Sequence, residues 1–284
     1  MNQCKALLRK EWNTHRTSLL MPLWFTGGVY VIVLVSWIIS LIKGQNFMIG
    51  FSSGEIPSGW QDFLVYTGGV SITALLGLVA LITAVTLADS LINGGFKRRC
   101  EILHFSQPVP FAKIVASKYA FMTLGTILIW GALSLINGAA LSLYTSNLTG
   151  SSFSYGLVGW LQSWLSMSLS LLFLSSLFWF FAGLFKRKSA FMGLLVILGI
   201  QAAIAILNYT LGWQIPSLLE YLAEIASIDI NITPDLPDKM LVNINDLIAT
   251  AWQKIFSWAS LLRIGYSAIF FVAGSLLYKR RELT

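Results

Sequence analysis

The chain has 284 residues, of which 56% are hydrophobic and only 11% are charged. Soluble domains carry roughly 25% charged residues, so the composition excludes an ordinary soluble protein and indicates an integral membrane protein. The net charge is +7, from 19 basic and 12 acidic side chains. Because the basic residues stand in short segments beside long apolar runs, we assign them to membrane topology and anionic lipid headgroups rather than to nucleic-acid binding.

The N-terminal segment, residues 1–18, predicts an amphipathic helix that lies in the headgroup layer. Apolar positions at Cys4, Leu8 and Trp12 recur at helical spacing, and basic residues occupy other faces of this helix. A cytoplasmic stub that merely precedes the first membrane span is the alternative. The residues assigned to the interfacial helix are Lys10, Glu11, Trp12 and Arg16.

Six apolar runs follow, and each is long enough for a hydrocarbon core that a helix crosses in about 20 residues. The runs extend over residues 19–42, 63–92, 118–144, 156–185, 190–211 and 255–278. Small residues recur along the second run from Thr73 to Ala88, and serines recur along the fourth from Ser163 to Ser170. Both patterns favour close packing between helices, and for the serines a polar translocation surface is the alternative.

The distribution of lysine and arginine predicts the orientation of these spans. Most basic residues fall at the two termini, between the second and third runs, and between the fourth and fifth. In the opposite loops stand only Lys43, Lys239 and Lys254. By the positive-inside rule both termini are cytoplasmic, and an even number of spans likewise places them on one side. Residues 212–254 then form an external segment, with predicted helices over 216–228 and 246–258.

Charged residues inside or near the ends of the predicted spans need partners. Arg263 lies within the last run, where a lone arginine reaches outward to the interface or pairs with a carboxylate. Glu220 and Glu224 of the external segment are the candidates for such a pair. Asp89 lies near the cytoplasmic end of the second run, and we expect it to pair with the basic cluster that follows.

Between the second and third runs, residues 93–112 predict a compact basic elbow. Gly94-Gly95 are expected to end the preceding helix, and residues 100–105 are compatible with a short helix that Pro108 and Pro110 end. A structured elbow at this place suggests a surface on which another protein acts. The residues expected to make that contact are Lys97, Arg98, Arg99, Glu101, Phe105 and Pro108.

Three groups of residues carry a resemblance to a known family. They stand at the N-terminus, around the elbow and at the C-terminus: Lys10-Glu11 with Arg16; Glu101-Ile102-Leu103, Ser106-Gln107-Pro108-Val109, Ile114 and Lys118-Tyr119; and Tyr278-Lys279-Arg280-Arg281-Glu282-Leu283. In order and spacing they resemble ABC-2 type permeases, the membrane subunits of ATP-binding-cassette exporters. One departure is that Pro110-Phe111 stands where the family often has Ser-Arg.

The resemblance implies one all-α integral membrane domain over residues 1–284, with about six transmembrane helices and a cytoplasmic coupling helix in the elbow. It implies a non-catalytic subunit of an exporter in the bacterial cytoplasmic membrane. The elbow would dock in a groove of a separate ATPase subunit, which binds ATP and Mg²⁺. A second permease chain, identical or different, would complete the transporter, and an accessory extracytoplasmic protein is a further candidate partner. The sequence does not specify the substrate.

Two other classes of function remain as alternatives. A secondary transporter or channel normally carries acidic residues at mid-membrane depth, which these runs lack. A membrane enzyme would need a nucleophile with its base or a metal cluster, and His15 and His104 belong to no metal-binding motif. The chain has no phosphate-binding loop of the G-x-x-x-x-G-K-[ST] type, and Cys4 and Cys100 both fall on the predicted cytoplasmic side.

Overall fold

The computed structural model describes residues 3–43, 60–98, 109–226 and 243–282, and within these ranges the chain is almost entirely helical. The helices are α1 (Gln3–Leu19), α2 (Met21–Ile42), α3 (Trp60–Arg98), α4 (Phe111–Thr149), α5 (Ser154–Leu184), α6 (Ser189–Leu211), α7 (Leu218–Ala226), α8 (Ile244–Ile255) and α9 (Trp258–Glu282). No strand occurs among the described residues, which confirms the all-α prediction.

Six helical segments of the described chain are long and apolar enough to cross a membrane. They are Lys5–Ile42, Trp60–Gly94, Phe111–Thr149, Ser154–Leu184, Ser189–Leu211 and Ile244–Arg280. The first segment joins α1 to α2, and the last joins α8 to α9. The six predicted runs are therefore confirmed as six apolar helical segments, as expected for a multi-pass membrane protein.

The prediction that Gly94-Gly95 end the helix was wrong, because α3 continues through both glycines to Arg98, although its apolar segment ends at Gly94. A glycine inside a helix costs only about 1 kcal/mol relative to alanine. The preceding turn offsets this cost, since Leu91 and Ile92 are almost fully buried in the core. The predicted elbow therefore begins no earlier than the end of α3. Its central residues, 99–108, lie outside the described residues.

α5 is the central helix of the bundle, since it packs along both α3 and α9, while α4 packs on α3. Glycines allow the closest of these approaches. A Cβ on Gly159 of α5 would lie 2.5 Å from the Tyr66 carbonyl oxygen of α3. Near the other end of α5, a Cβ on Gly183 would lie 2.5 Å from the Gly274 carbonyl oxygen of α9. Small residues at these crossings let the helix backbones pack directly against each other.

The small residues along α3 serve packing, as predicted. Thr73, Ala80, Ala84 and Ala88 of α3 are all buried at the helix contacts. Along α5, most serine hydroxyls donate to carbonyl oxygens one turn back on their own helix, as Ser168 does to Trp164 at 2.6 Å. Hydroxyls satisfied in this way are tolerated in an apolar environment. In contrast, most side chains of α2 and α6 are exposed at the outside of the bundle.

Contacts at the helix ends show that α4 runs antiparallel to α3, α5 and α9, which run parallel to one another. Lys118 near the start of α4 contacts Leu91 near the end of α3 and Tyr278 near the end of α9. We call this the basal end of the bundle, formed by residues 89–98, 111–119, 176–189 and 275–282. At the opposite end, Ser151 after α4 donates a hydrogen bond to Asp62 at the start of α3.

We predict that Gly274→Ala destabilises the bundle by about 1–3 kcal/mol, because the added Cβ overpacks the contact between α5 and α9. It would lie 2.8 Å from Phe180 Cα, which cannot move aside as a side chain can. Thermal unfolding of the detergent-purified protein measures the effect. The control is Gly265→Ala on the same helix, where no atom lies within 4 Å of an added Cβ. Equal melting temperatures for the two variants would contradict this packing.

Candidate functional site

The basal end of the bundle contains a buried amine, that of Lys118 in α4. This side chain is only 6% exposed. Its Nζ donates to the Leu91 carbonyl oxygen of α3 at 2.8 Å and to the Tyr278 hydroxyl of α9 at 3.2 Å. The same Nζ lies 5.3 Å from the centre of the Tyr278 ring, within the range of a cation–π interaction. One cation therefore connects three helices.

A buried carboxylate, that of Glu11 in α1, lies within electrostatic range of this amine. Glu11 is 4% exposed and interacts electrostatically with Lys118 and with its neighbour Lys10, whose Nζ lies 3.9 Å from the carboxylate. His15 lies one turn further along α1, with Nε2 3.7 Å from Glu11 and Nδ1 3.2 Å from the hydroxyl of Ser90 in α3. We call Glu11, Lys118, Tyr278 and the Leu91 carbonyl the Lys118 cluster.

Tyr119, the next residue of α4, makes a second set of contacts between helices. Its hydroxyl hydrogen-bonds with Ser176 of α5 and lies 3.4 Å from the hydroxyl of Ser267 in α9. The two serine hydroxyls are themselves 2.6 Å apart. The tyrosine ring packs on Phe271 of α9 at a centroid distance of 4.3 Å. Lys118 and Tyr119 together thus attach α4 to α1, α3, α5 and α9.

A third polar contact holds the turn between α5 and α6 against the end of α3. Ser189 at the start of α6 donates to Asp89 Oδ1 at 2.6 Å, and Asn93 Nδ2 donates to the same oxygen at 2.8 Å. Asn93 also donates to the Phe185 carbonyl oxygen at 3.2 Å. A carboxylate at the first turn of α6 is favoured by the helix dipole. The predicted pairing of Asp89 with the basic cluster involves side chains that lie outside the described residues.

The structure places the residues predicted for the ATPase contact as follows. Lys97 and Arg98 lie in the last turn of α3, where the backbone is described and the side chains are not. The remaining four, Arg99, Glu101, Phe105 and Pro108, lie outside the described residues. Their proposed role stays a prediction, and what the structure adds is the position of the helix ends that flank them.

The four residues assigned to the interfacial helix have different environments. Trp12 and Arg16 of α1 are exposed, with Trp12 at 41%, and they remain suited to the headgroup layer. Lys10 is half-buried, and Glu11 points into the protein. The sequence analysis did not foresee this inward position of Glu11.

Sequence reasoning also missed the burial of Lys118, which it interpreted as one of the basic residues that set topology. The spacing of apolar residues around Lys118 did indicate its burial. Ile114 and Met122, four residues to either side, are apolar and lie on the same helix face, and both are buried. A lysine in the middle of an apolar helix face needs a buried partner, and the partners come from distant parts of the sequence.

Arg263, in the first turns of α9, is buried at 6% exposure, and its Nε donates to the Ile225 carbonyl oxygen at 2.6 Å. Ile225 lies near the C-terminal end of α7, so this bond attaches the short helix to the bundle and helps satisfy a helix-terminal carbonyl. The acceptor is this carbonyl and not Glu220 or Glu224, whose side chains are exposed. The predicted ion pair with either glutamate was wrong.

Comparisons with protein-family models, with curated proteins and with solved structures gave no match. Within the described ranges, no group of three or more His, Cys, Asp or Glu side chains comes close enough to hold a metal ion. The polar contacts at the basal end hold helices together. The Lys118 cluster, Tyr119 and Asp89 fix the ends of α3, α4, α5, α6 and α9, together with α1, to one another.

We predict that Lys118→Met destabilises the protein by about 1–3 kcal/mol, because it leaves the buried Leu91 carbonyl and Tyr278 hydroxyl without the amine that donates to them. The matched control is Lys113→Met in the first turn of α4, where the exposed amine donates to Gln3 at 3.3 Å. Loss of such an exposed contact costs about 1 kcal/mol or less. Denaturant unfolding in detergent micelles measures both values. Similar losses for the two lysines would contradict the role assigned to Lys118.

Proposed function

We propose that this chain is the permease subunit of an ABC-2 type exporter, driven by an ATPase on a separate chain. One observation carries the proposal. The three groups of residues that resemble the family are far apart in sequence, and one member of each group belongs to the Lys118 cluster: Glu11, Lys118 and Tyr278. A chance resemblance in three unrelated segments gives no reason for these residues to meet in space. The six apolar helical segments suit such a subunit.

The position of the Lys118–Leu91 bond suggests how force on the elbow would reach the membrane. Lys118 stands seven residues after the first residue of α4, Phe111, and Leu91 stands seven residues before the last residue of α3, Arg98. At about 1.5 Å per residue, each is about 10 Å from the helix end that flanks the elbow. A bond across the two helices at this level makes them respond to a displacement of the elbow as one unit.

The neighbouring contacts would spread that displacement through the bundle. Glu11 carries it to α1, and Tyr278 and Tyr119 carry it to α9 and α5. The contact of Asp89 with Ser189 carries it to α6. Polar contacts that are short and buried transmit small shifts better than exposed contacts, since close-packed interiors yield little. In this mechanism ATP binding and hydrolysis on the partner chain, with Mg²⁺, supply the work.

The partners follow from the same proposal. The basal end carries most of the basic residues, and by the positive-inside rule it faces the cytoplasm, where the ATPase would dock. A second permease chain, identical or different, would pair with this one within the membrane. The bacterial cytoplasmic membrane is the proposed location, with both termini on its inner side. The chain itself would bind no nucleotide.

We predict that the purified wild-type protein retains a stoichiometric ATPase subunit, and that Glu101→Arg lowers this retention without preventing membrane insertion. A reversed charge in the coupling helix opposes the groove that would receive it. The measurement is affinity purification in mild detergent after co-expression with the ATPase encoded nearest in the genome, followed by mass spectrometry.

The matched control for this experiment is Glu220→Arg, an equal charge reversal at an exposed position of α7, away from the basal end. It is expected to retain the ATPase at the wild-type level. If the wild-type chain purifies without any ATPase, and if added ATPase and ATP produce no complex, the exporter proposal fails and a secondary transporter or channel takes its place.

A further inference from the structure

A cavity of about 360 Å³ lies among α3, α4 and α5, with the end of α7 at one side. Its lining includes Ala74, Gly77 and Leu78 of α3, Trp130 of α4, and Met167 of α5, and every lining residue is uncharged. The volume falls within the range of roughly 300–1,000 Å³ that is typical of small-molecule sites. The Lys118 cluster contributes no residue to this cavity.

The cavity lies near the middle of the three long helices that form it. Gly77 is close to the centre of α3, which spans Trp60–Arg98. Trp130 is at the centre of α4, which spans Phe111–Thr149, and Met167 is near the centre of α5. In a helix that crosses a bilayer, the central residues stand at the depth of the hydrocarbon core. The cavity therefore lies where the surrounding medium is acyl chains rather than water.

The polar atoms of the lining are already engaged. The hydroxyl of Ser163 contacts Met167 Sδ at 3.8 Å, and the hydroxyl of Ser170 donates to the Ser166 carbonyl oxygen at 3.5 Å. The Trp130 indole N–H donates to the Thr73 carbonyl oxygen at 3.2 Å. An ordered water needs two to four polar partners, so this lining favours an apolar occupant over water.

The wall on the α3 side leads to the membrane-facing surface. Leu78, which lines the cavity, is 62% exposed, and its neighbours on the outer face of α3, Leu75 and Ile82, are each 51% exposed. Gly77 keeps the interior open to Met167, since a Cβ there would lie 2.5 Å from Met167 Cε. An apolar chain could thus enter from the lipid side past Leu78 and contact Met167 without crossing a polar surface.

We propose that this cavity binds one acyl chain of a membrane lipid, with the headgroup remaining outside among the lipids. The occupant is an acyl chain because the lining is apolar, the depth is that of the hydrocarbon core and the exposed Leu78 connects the cavity to the lipid-facing surface. The proposal requires only that the helices cross a membrane, so it stands independently of the exporter proposal.

The test is photolabelling of the full chain in phosphatidylethanolamine vesicles that contain a lipid with a diazirine near the middle of one acyl chain. Mass spectrometry then locates the labelled residues. We expect strong labelling of Met167, compared with background at Trp179, which is fully buried elsewhere in the bundle. Labelling of Met167 no stronger than that of Trp179 overturns the proposal.

A pair of variants separates the cavity from the outer surface. Ala74→Phe places a ring in the cavity and should abolish labelling of Met167. Leu75→Phe adds the same ring one residue away, on the exposed face, and should leave the labelling of Met167 unchanged. Leu198 of α6, 53% exposed, reports intact insertion in both variants. Equal labelling of Met167 in the two variants would overturn the proposal.

Two further arms complete the test. If Ala74→Phe loses labelling at Leu198 and so fails to insert, Leu174→Trp fills the cavity from α5 and must abolish Met167 labelling instead. A soluble monoacyl diazirine probe tests the source of the chain. Labelling of Met167 by that probe alone, and not by the bilayer lipid, overturns the assignment to membrane lipid.

Discussion

The fold depends on the burial of one positive charge, the amine of Lys118. Removing an ammonium group from water costs several kcal/mol unless hydrogen bonds and an opposite charge compensate for it. Here the compensation comes from a carbonyl of α3, a tyrosine of α9 and a carboxylate of α1. Because the partners belong to three other helices, satisfying this charge also fixes the relative positions of four helices.

This requirement has different consequences for the two parts of the bundle. α3, α4, α5 and α9 pack closely through glycines and satisfied hydroxyls, and they meet again at the Lys118 cluster and Tyr119. α2 and α6 have mostly exposed side chains, so lipid or another chain must cover them in a membrane. A tightly connected centre with loosely attached outer helices suits a protein in which movement at the basal end is passed to selected helices.

The sequence was sufficient to predict the spans, because long apolar runs depend only on local composition. The sequence predicted the structure less reliably where local helix propensity and tertiary packing favour different outcomes. The pair Gly94-Gly95 has a weak helix propensity, yet the helix continues past it from a firmly buried turn that ends at Ile92. Arg263 was expected either to reach outward or to pair with a carboxylate, and its Nε instead donates to the Ile225 carbonyl, because the end of a neighbouring helix leaves such oxygens unpaired.

The Lys118 cluster and the cavity could not be predicted from the sequence for two different reasons. Two of the partners of Lys118, Glu11 and Tyr278, stand more than a hundred residues away on α1 and α9, and no local pattern links them. The cavity is a space left between helices, so it depends on how α3 and α5 cross and on the missing side chain of Gly77. Neither is a property of any one segment.

The most direct test of the central claim is a double-mutant cycle on Glu11→Gln and Lys118→Met, with free energies of unfolding measured by SDS titration in mixed micelles. If the two side chains form one buried unit, the double variant loses less stability than the sum of the single variants, by about 0.5–3 kcal/mol. Losses that simply add would show that the two residues act independently, and would contradict the role of the Lys118 cluster in joining the helices at the basal end.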